Sequence, residues 1–400
     1  MRIQRNQSRL SFRKRRRSSG CLPLVVLLGL LAGITSISWN WIGQWLNAAV
    51  ARQSGDDLMA AARRAFDEGD LDTAIELSRQ ALAAQPDHAD AVALLARALV
   101  YRSYSDYDRA VDRNSALQVT TEAIRQLPSH PDVLAAHAFA LQAAGRQAEA
   151  ADVARQALDI ASDHGLARTA LALAYGGVGS FEIALRENLQ AVQSEGWRLD
   201  SQRALAISYS DLGDYENALA SVDRAIPLNA RLIPLYFERA LYALQLGNAD
   251  EATAAYFQVL VYDPENVKAR LRLCELSSLL REREAAIRYC QQVTERAPAW
   301  ADGWYHLGRE YFLQGNFRLA QEHFHRCSSL QVMQNIPPEE RRFECWYLQG
   351  QAAEILGDCE NLLATYNEFR AMAIDPAVQQ TWTYPPEGPP GCVPLVSSVP

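Results

Sequence analysis

Trp304-Tyr305-His306-Leu307-Gly308-Arg309-Glu310-Tyr311 is followed by Gly315-Asn316-Phe317 and then by Ala320, Phe324 and Cys327. Apolar and small residues recur here at intervals of three and four, the spacing of a helix with one buried face. Gly315 interrupts the pattern where a left-handed residue would end one helix without a Cβ clash. The stretch therefore predicts a short helical hairpin. The same grammar recurs upstream at Gly69-Asp70-Leu71 with Ala74, Gly179-Ser180-Phe181 with Ala184, and Gly213-Asp214-Tyr215 with Ala218. Gly145, Gly179, Gly213 and Gly247 follow one another at 34-residue intervals; Arg281 takes the next slot and Gly315 the one after. A degraded copy follows as Trp346-Tyr347-Leu348-Gln349-Gly350, with Gly357 and Tyr366.

This pattern resembles the tetratricopeptide repeat family over about 320 of the 400 residues. Repeats are expected to start near 55, 89, 131, 165, 199, 233, 267, 301 and 343. The eighth positions are small (Ala62, Ala96, Ala138, Ala172, Ala206, Ala240, Cys274, Gly308), where the first helix of a pair must approach its neighbours closely. Ala74, Ala116, Ala150, Ala184, Ala218, Ala252, Ala286 and Ala320 do the same on the second. Pro86, Pro128, Pro264 and Pro298 stop the second helix before the next pair begins. One hairpin cannot bury its apolar face alone, but stacked hairpins share a continuous core. The expected fold is all-α, an α-solenoid of about nine tandem antiparallel helix pairs over 55–373; the resemblance implies a right-handed superhelix.

Three departures stand out. Repeat two carries about eight extra residues, Tyr101 to Asp108, which either lengthen its first helix or form a protruding loop. Gln331 to Arg342, with Pro337-Pro338 and Glu-Glu-Arg-Arg, reads as a solvated spacer. Repeat seven lacks its turn glycine and carries Cys274 and Cys290 on the two helices of one pair, where they either bond or stay as buried thiols. Past Ala373 the pattern stops, and the Pro/Gly-rich residues 374–400 are expected to be flexible.

The amino-terminal segment reads differently. Residues 1–20 hold eight of the 39 basic side chains and no acidic one. No charged residue follows between Ser18 and Ala51. About twenty apolar residues cross a bilayer core, so residues 21–43 are expected to form a single transmembrane helix. Trp39, Trp41 and Trp45 sit where interfacial aromatics belong. The basic block predicts a cytoplasmic N-terminus and, after a linker over 44–54, a solenoid on the far side of a cell membrane; arginine in place of lysine almost everywhere suggests a bacterial source.

Composition narrows function. Beyond residue 20, 31 basic side chains face 47 acidic ones, a net charge of -16. Nucleic acid is a poor partner for such a surface, because phosphates demand clustered positive charge. The seven cysteines have no short metal-ligand spacing, and His323 and His325 point different ways on a helix. No phosphate loop, nucleophile elbow or His-Glu-x-x-His is present, so neither enzyme activity nor a cofactor is expected.

What remains is the concave face, which the first helices line in the family that the chain resembles. Phe139, Leu173, Ile207 and Leu241 occupy successive ninth positions, followed by Arg309; Arg203, Phe237, Leu271 and Tyr305 occupy fifth positions, and Phe312 a twelfth. This strip is the expected groove for an extended or helical peptide of a protein partner. Arg203, Arg239, Arg270, Arg272 and Arg309 are candidate anchors for an acidic ligand. The leading expectation is a scaffold for protein-protein interaction tethered to the lipid bilayer through 21–43. The alternative is an accessory subunit of an envelope polymer-synthesis or secretion complex. A sugar-binding module built on Tyr101, Tyr104, Tyr107, Trp304 and Tyr305 is a third reading.

Overall fold

The turn glycines solve one local problem, and in four of the pairs the residue after the glycine solves the next. Gly145, Gly179, Gly213, Gly247 and Gly315 all adopt φ between 78° and 84°, a region that side chains with a Cβ resist. The following Asp or Asn then caps the second helix: Asp70, Asp214, Asn316 and Asp358 accept from the backbone N–H three residues on, at 3.0–3.3 Å. Arg281 occupies the glycine slot of repeat seven with φ 64°.

The computed structural model describes residues 55–107, 109–385, 389 and 392. Nine helix pairs follow one another. The first helices of the pairs are α1 (55–67), α3 (Ala89–Ser105), α5 (Pro131–Ala143), α7 (Gly165–Gly177), α9 (Leu199–Asp211), α11 (Ile233–Gln245), α13 (Val267–Leu279), α15 (Ala301–Leu313) and α17 (Glu344–Leu356). Their partners are α2 (Leu71–Ala84), α4 (Ala110–Gln126), α6 (Gln147–Ile160), α8 (Phe181–Glu195), α10 (Tyr215–Ala225), α12 (Ala249–Tyr262), α14 (Arg283–Arg296), α16 (Phe317–Met333) and α18 (Cys359–Met372).

The small residues lie where close approach requires them. Ala62, Ala96, Ala138, Ala206 and Ala240 on the first helices are wholly buried, as are Ala74, Ala116, Ala150, Ala218 and Ala252 on the second. Gly308 shows why one position lost even its Cβ: a methyl there would meet the Phe324 ring at 2.9 Å. Successive first helices pack on one another, α3 on α5, α5 on α7 and α7 on α9. They form the inner layer.

The extra residues of repeat two mostly lengthen a helix. α3 has 17 residues where α5 has 13. The second insertion extends α16 to Met333, turns at Asn335 (φ 53°) and makes one 3-10 turn at Pro338–Glu340. Three disulfides tie the C-terminal third: Cys274–Cys290 joins α13 to α14, Cys327–Cys345 joins α16 to α17, and Cys359–Cys392 joins α18 to the tail. The tail was expected to be flexible from 374, yet its described part folds back. Pro376–Gln380 forms a short helix, α19, and Trp382 is buried against Tyr347, Tyr366 and Phe369. Gly350 makes room, since a Cβ there would fall 2.1 Å from the indole.

The membrane anchor requires correction. No helix among the described residues is long and apolar enough to cross a membrane. The solenoid helices have 11 to 17 residues, whereas a bilayer core needs about twenty. The segment 21–43 itself lies outside the described residues, as do the basic stretch 1–20 and the linker 44–54. Over the described residues the fold class is an all-α solenoid, with no transmembrane helix among them. Membrane tethering, the lipid bilayer as partner, the single-pass cell-membrane location and the envelope-complex alternative that rested on them are not carried forward.

Candidate functional site

α3 does not merely line the inner layer; it reaches across it. Its Arg97 guanidinium meets the Asp200 carboxylate of α9 at 2.6 Å, and Tyr101 Oη donates to the same carboxylate at 2.7 Å. Arg203, one turn further along α9, lies over the rings of Tyr101 (5.4 Å) and Tyr104 (5.2 Å) and donates to Glu238 of α11 at 2.8 Å. Asn229, before α11, donates to the Phe66 carbonyl at the end of α1 at 2.6 Å. The chain thus closes on itself, repeats one and two touching repeats five to seven.

Electrostatics follow from this closure. Burial pushes the Asp200 carboxyl up, but the Arg97 charge and the bonds from Tyr101 and Arg97 outweigh it, holding its pKa below the usual carboxylate range. Burial, reinforced by Asp200, drives the Tyr101 hydroxyl well above its ordinary value. Lys268 of α13 is the one lysine among the described residues. Burial and the neighbouring Arg272 charge lower its pKa to about 8, and its ammonium lies 4.4 Å from the Phe237 ring.

Tyr104 lines two clefts. One, of about 330 Å³, is also lined by Leu173, Arg203, Ile207, Gln142 and Asp211. The other, a groove of about 440 Å³, is lined by Phe237, Leu241, Leu244, Leu276 and Leu279, with Lys268, Arg272 and Glu275 among them. Leu241 and Leu279 are 47% and 75% exposed, so this groove presents hydrocarbon to solvent.

The expected strip is therefore distributed. Leu173, Arg203 and Ile207 line the smaller cleft, and Phe237 and Leu241 the larger one. Phe139 is wholly buried beside Tyr101, and Leu271 is buried on Val293. Tyr305, Arg309 and Phe312 line neither space; Tyr305 lies under Arg342, and Phe312 packs on Phe317 and Phe324. Four of the five arginine anchors are engaged: Arg203 with Glu238, Arg239 with Asp223, Arg272 with Glu275, and Arg270 with main-chain carbonyls. Arg97, Lys268 and Asn266 were missed as site residues, and Tyr104 was named only for the sugar-binding reading. Two signals pointed to them: a lone lysine, and a tyrosine-rich insertion in an otherwise regular repeat.

Among the described residues, no group of three or more His, Cys, Asp or Glu could hold a metal ion. The tetratricopeptide repeat family profile matches residues 65–100 and 243–310. No curated protein matches the chain. Among solved structures it is similar to the Cut9-Hcn1 hetero-tetramer of the APC/C, at 15% identity and TM-score 0.53, over 77% of this chain. It spans 58% of that structure's chain. It is also similar to the human IFIT1 dimer with m7Gppp-AAAA (15% identity, TM-score 0.48, 66% of this chain and 68% of that one). A tetratricopeptide repeat protein from Parabacteroides merdae matches at 17% identity and TM-score 0.40, over 64% of this chain and 99% of that one. Likenesses at such identity bear on fold alone. Helix pairing, turn geometry and the family match together support an all-helical solenoid of the tetratricopeptide type.

Proposed function

We propose that this chain is a protein-protein interaction scaffold that takes a segment of a partner polypeptide into the concave grooves beside Tyr104. The observation that carries the reading is the larger groove. Its wall is Phe237, Leu241, Leu244, Leu276 and Leu279, with Lys268 and Glu275 as polar fixed points. Exposed hydrocarbon with a few placed polar groups is the usual composition of a recognition site. The fold alone hosts many interactions and does not name the partner.

The test is a photo-crosslinking residue at Leu241 in the full chain, expressed in its own cells. Crosslinks to a discrete polypeptide are expected, and Leu279→Asp should reduce them at least tenfold, a loss of about 1.4 kcal/mol or more in binding. Adducts that survive Leu279→Asp unchanged, or no adduct at all, would overturn the groove as the binding surface.

A further inference from the structure

The end of α3 is held as a bound peptide would be. Tyr104 and Ser105 form the end of α3, and Asp106-Tyr107 continue beyond it across the start of α13 and α15. Asn266 Nδ2 donates to the Ser105 carbonyl at 2.9 Å, and Lys268 Nζ to the Tyr104 carbonyl at 2.8 Å. The backbone N–H of Lys268, in the first turn of α13, donates to the Asp106 carboxylate at 3.0 Å. Tyr107 stacks on Trp300 with ring centroids 4.7 Å apart and planes 18° apart, over Leu271 and Val293.

These contacts read two main-chain carbonyls, one carboxylate and one aromatic ring. The two carbonyls belong to the last turn of α3, whereas the Asp106 carboxylate and the Tyr107 ring lie beyond it. A helix start favours a carboxylate, the amide and ammonium cap the last-turn carbonyls of α3, and the indole accepts a flat ring. Any chain with an acidic residue followed by an aromatic one meets the same requirements.

We infer that the corner formed by Asn266, Lys268 and Trp300 is a receptor for an acidic-aromatic peptide motif, filled in cis by Asp106-Tyr107, which a partner displaces. The inference rests on the peptide-binding reading above and gives it a partner chemistry. A tethered ligand competes at an effective concentration on the order of millimolar. An outside peptide therefore meets a receptor that is free only a fraction of the time, and its apparent affinity falls by that fraction.

The probe is a fluorescein-labelled peptide of residues 102–108, Arg-Ser-Tyr-Ser-Asp-Tyr-Asp, followed by anisotropy on the full chain. Asp106→Ala with Tyr107→Ala frees the Lys268 backbone N–H and the Trp300 face, and peptide affinity should rise at least tenfold over the native chain. Adding Trp300→Ala should abolish that gain, and a scrambled peptide should not bind. A double variant that unfolds cooperatively but binds no more tightly than the native chain overturns the inference. If the double variant does not fold, hydrogen exchange on the native chain decides: millimolar peptide should accelerate exchange at residues 105–107, and unchanged exchange overturns it. Crosslinking at Leu241 reports the larger groove separately, so a partner captured there while the peptide fails here sinks only this inference.

Discussion

Arg97 and Asp200 are separated by 103 residues, yet their side chains form an ion pair at 2.6 Å with the Asp200 carboxylate fully buried. Removing both charges from water costs several kcal/mol per ion unless geometry compensates. Here the second carboxylate oxygen accepts from Tyr101. Asp200→Ala leaves Arg97 buried without its partner and is expected to cost about 3–5 kcal/mol. Arg97→Leu with Asp200→Leu should cost far less. Denaturant midpoints of the two variants check this; equal losses would show that the pair is not what joins α3 to α9.

The same carboxylate gives a pH dependence. A carboxyl with a depressed pKa in the folded state adds stability above its unfolded value, about 3.9, which is lost as pH falls through the folded value. The native chain should therefore lose stability below about pH 4, and Asp200→Asn should have a shallower acid limb. Parallel acid limbs in urea titrations would contradict the assignment.

Lys268 has the opposite window. Its folded pKa is lowered to about 8, against about 10.4 in an unfolded chain. Between those values the unfolded chain holds more protons, so this group's contribution rises with pH. The stability difference between the native chain and Lys268→Met should grow from about pH 8 to pH 10. A flat difference across that range would mean that the ammonium is not desolvated.

Arg281 holds a left-handed conformation with an exposed side chain. A left-handed residue with a Cβ costs roughly 1–2 kcal/mol, part of which glycine returns as unfolded-state entropy. Arg281→Gly should stabilise the chain by about 0.5–1 kcal/mol, while Arg281→Ala should not. Thermal melts of the two would separate backbone strain from loss of the guanidinium.

The tail is pinned twice, by Cys359–Cys392 and by Trp382 in its aromatic pocket. Cys392→Ser opens a 33-residue link and should cost about 2–4 kcal/mol in the C-terminal repeats. Cleavage past Met372 under limited proteolysis should accelerate, with α1–α12 unaffected. Unchanged cleavage kinetics would place the tail's stability in Trp382 alone.

Much of this was legible in the residues themselves. Turn glycines, capping Asp and Asn, and small residues at the helix contacts are local requirements, and most helix pairs repeat some of them. The 34-residue register therefore located the pairs. The closing of the array was not legible. Phe139, Leu173, Leu241 and Leu271 share an apolar pattern, yet two are core and two line grooves. Periodicity reports which face of a helix is apolar, not what meets it. The reading of 21–43 from hydropathy falls outside the described residues. The sequence by itself determined the helix pairs, their turns and their contacts with immediate neighbours, because those interactions span a few tens of residues. Only the tertiary structure decided that α3 crosses to α9, α11 and α13, because that depends on small rotations summed over several stacked pairs, each too slight to show in any one repeat.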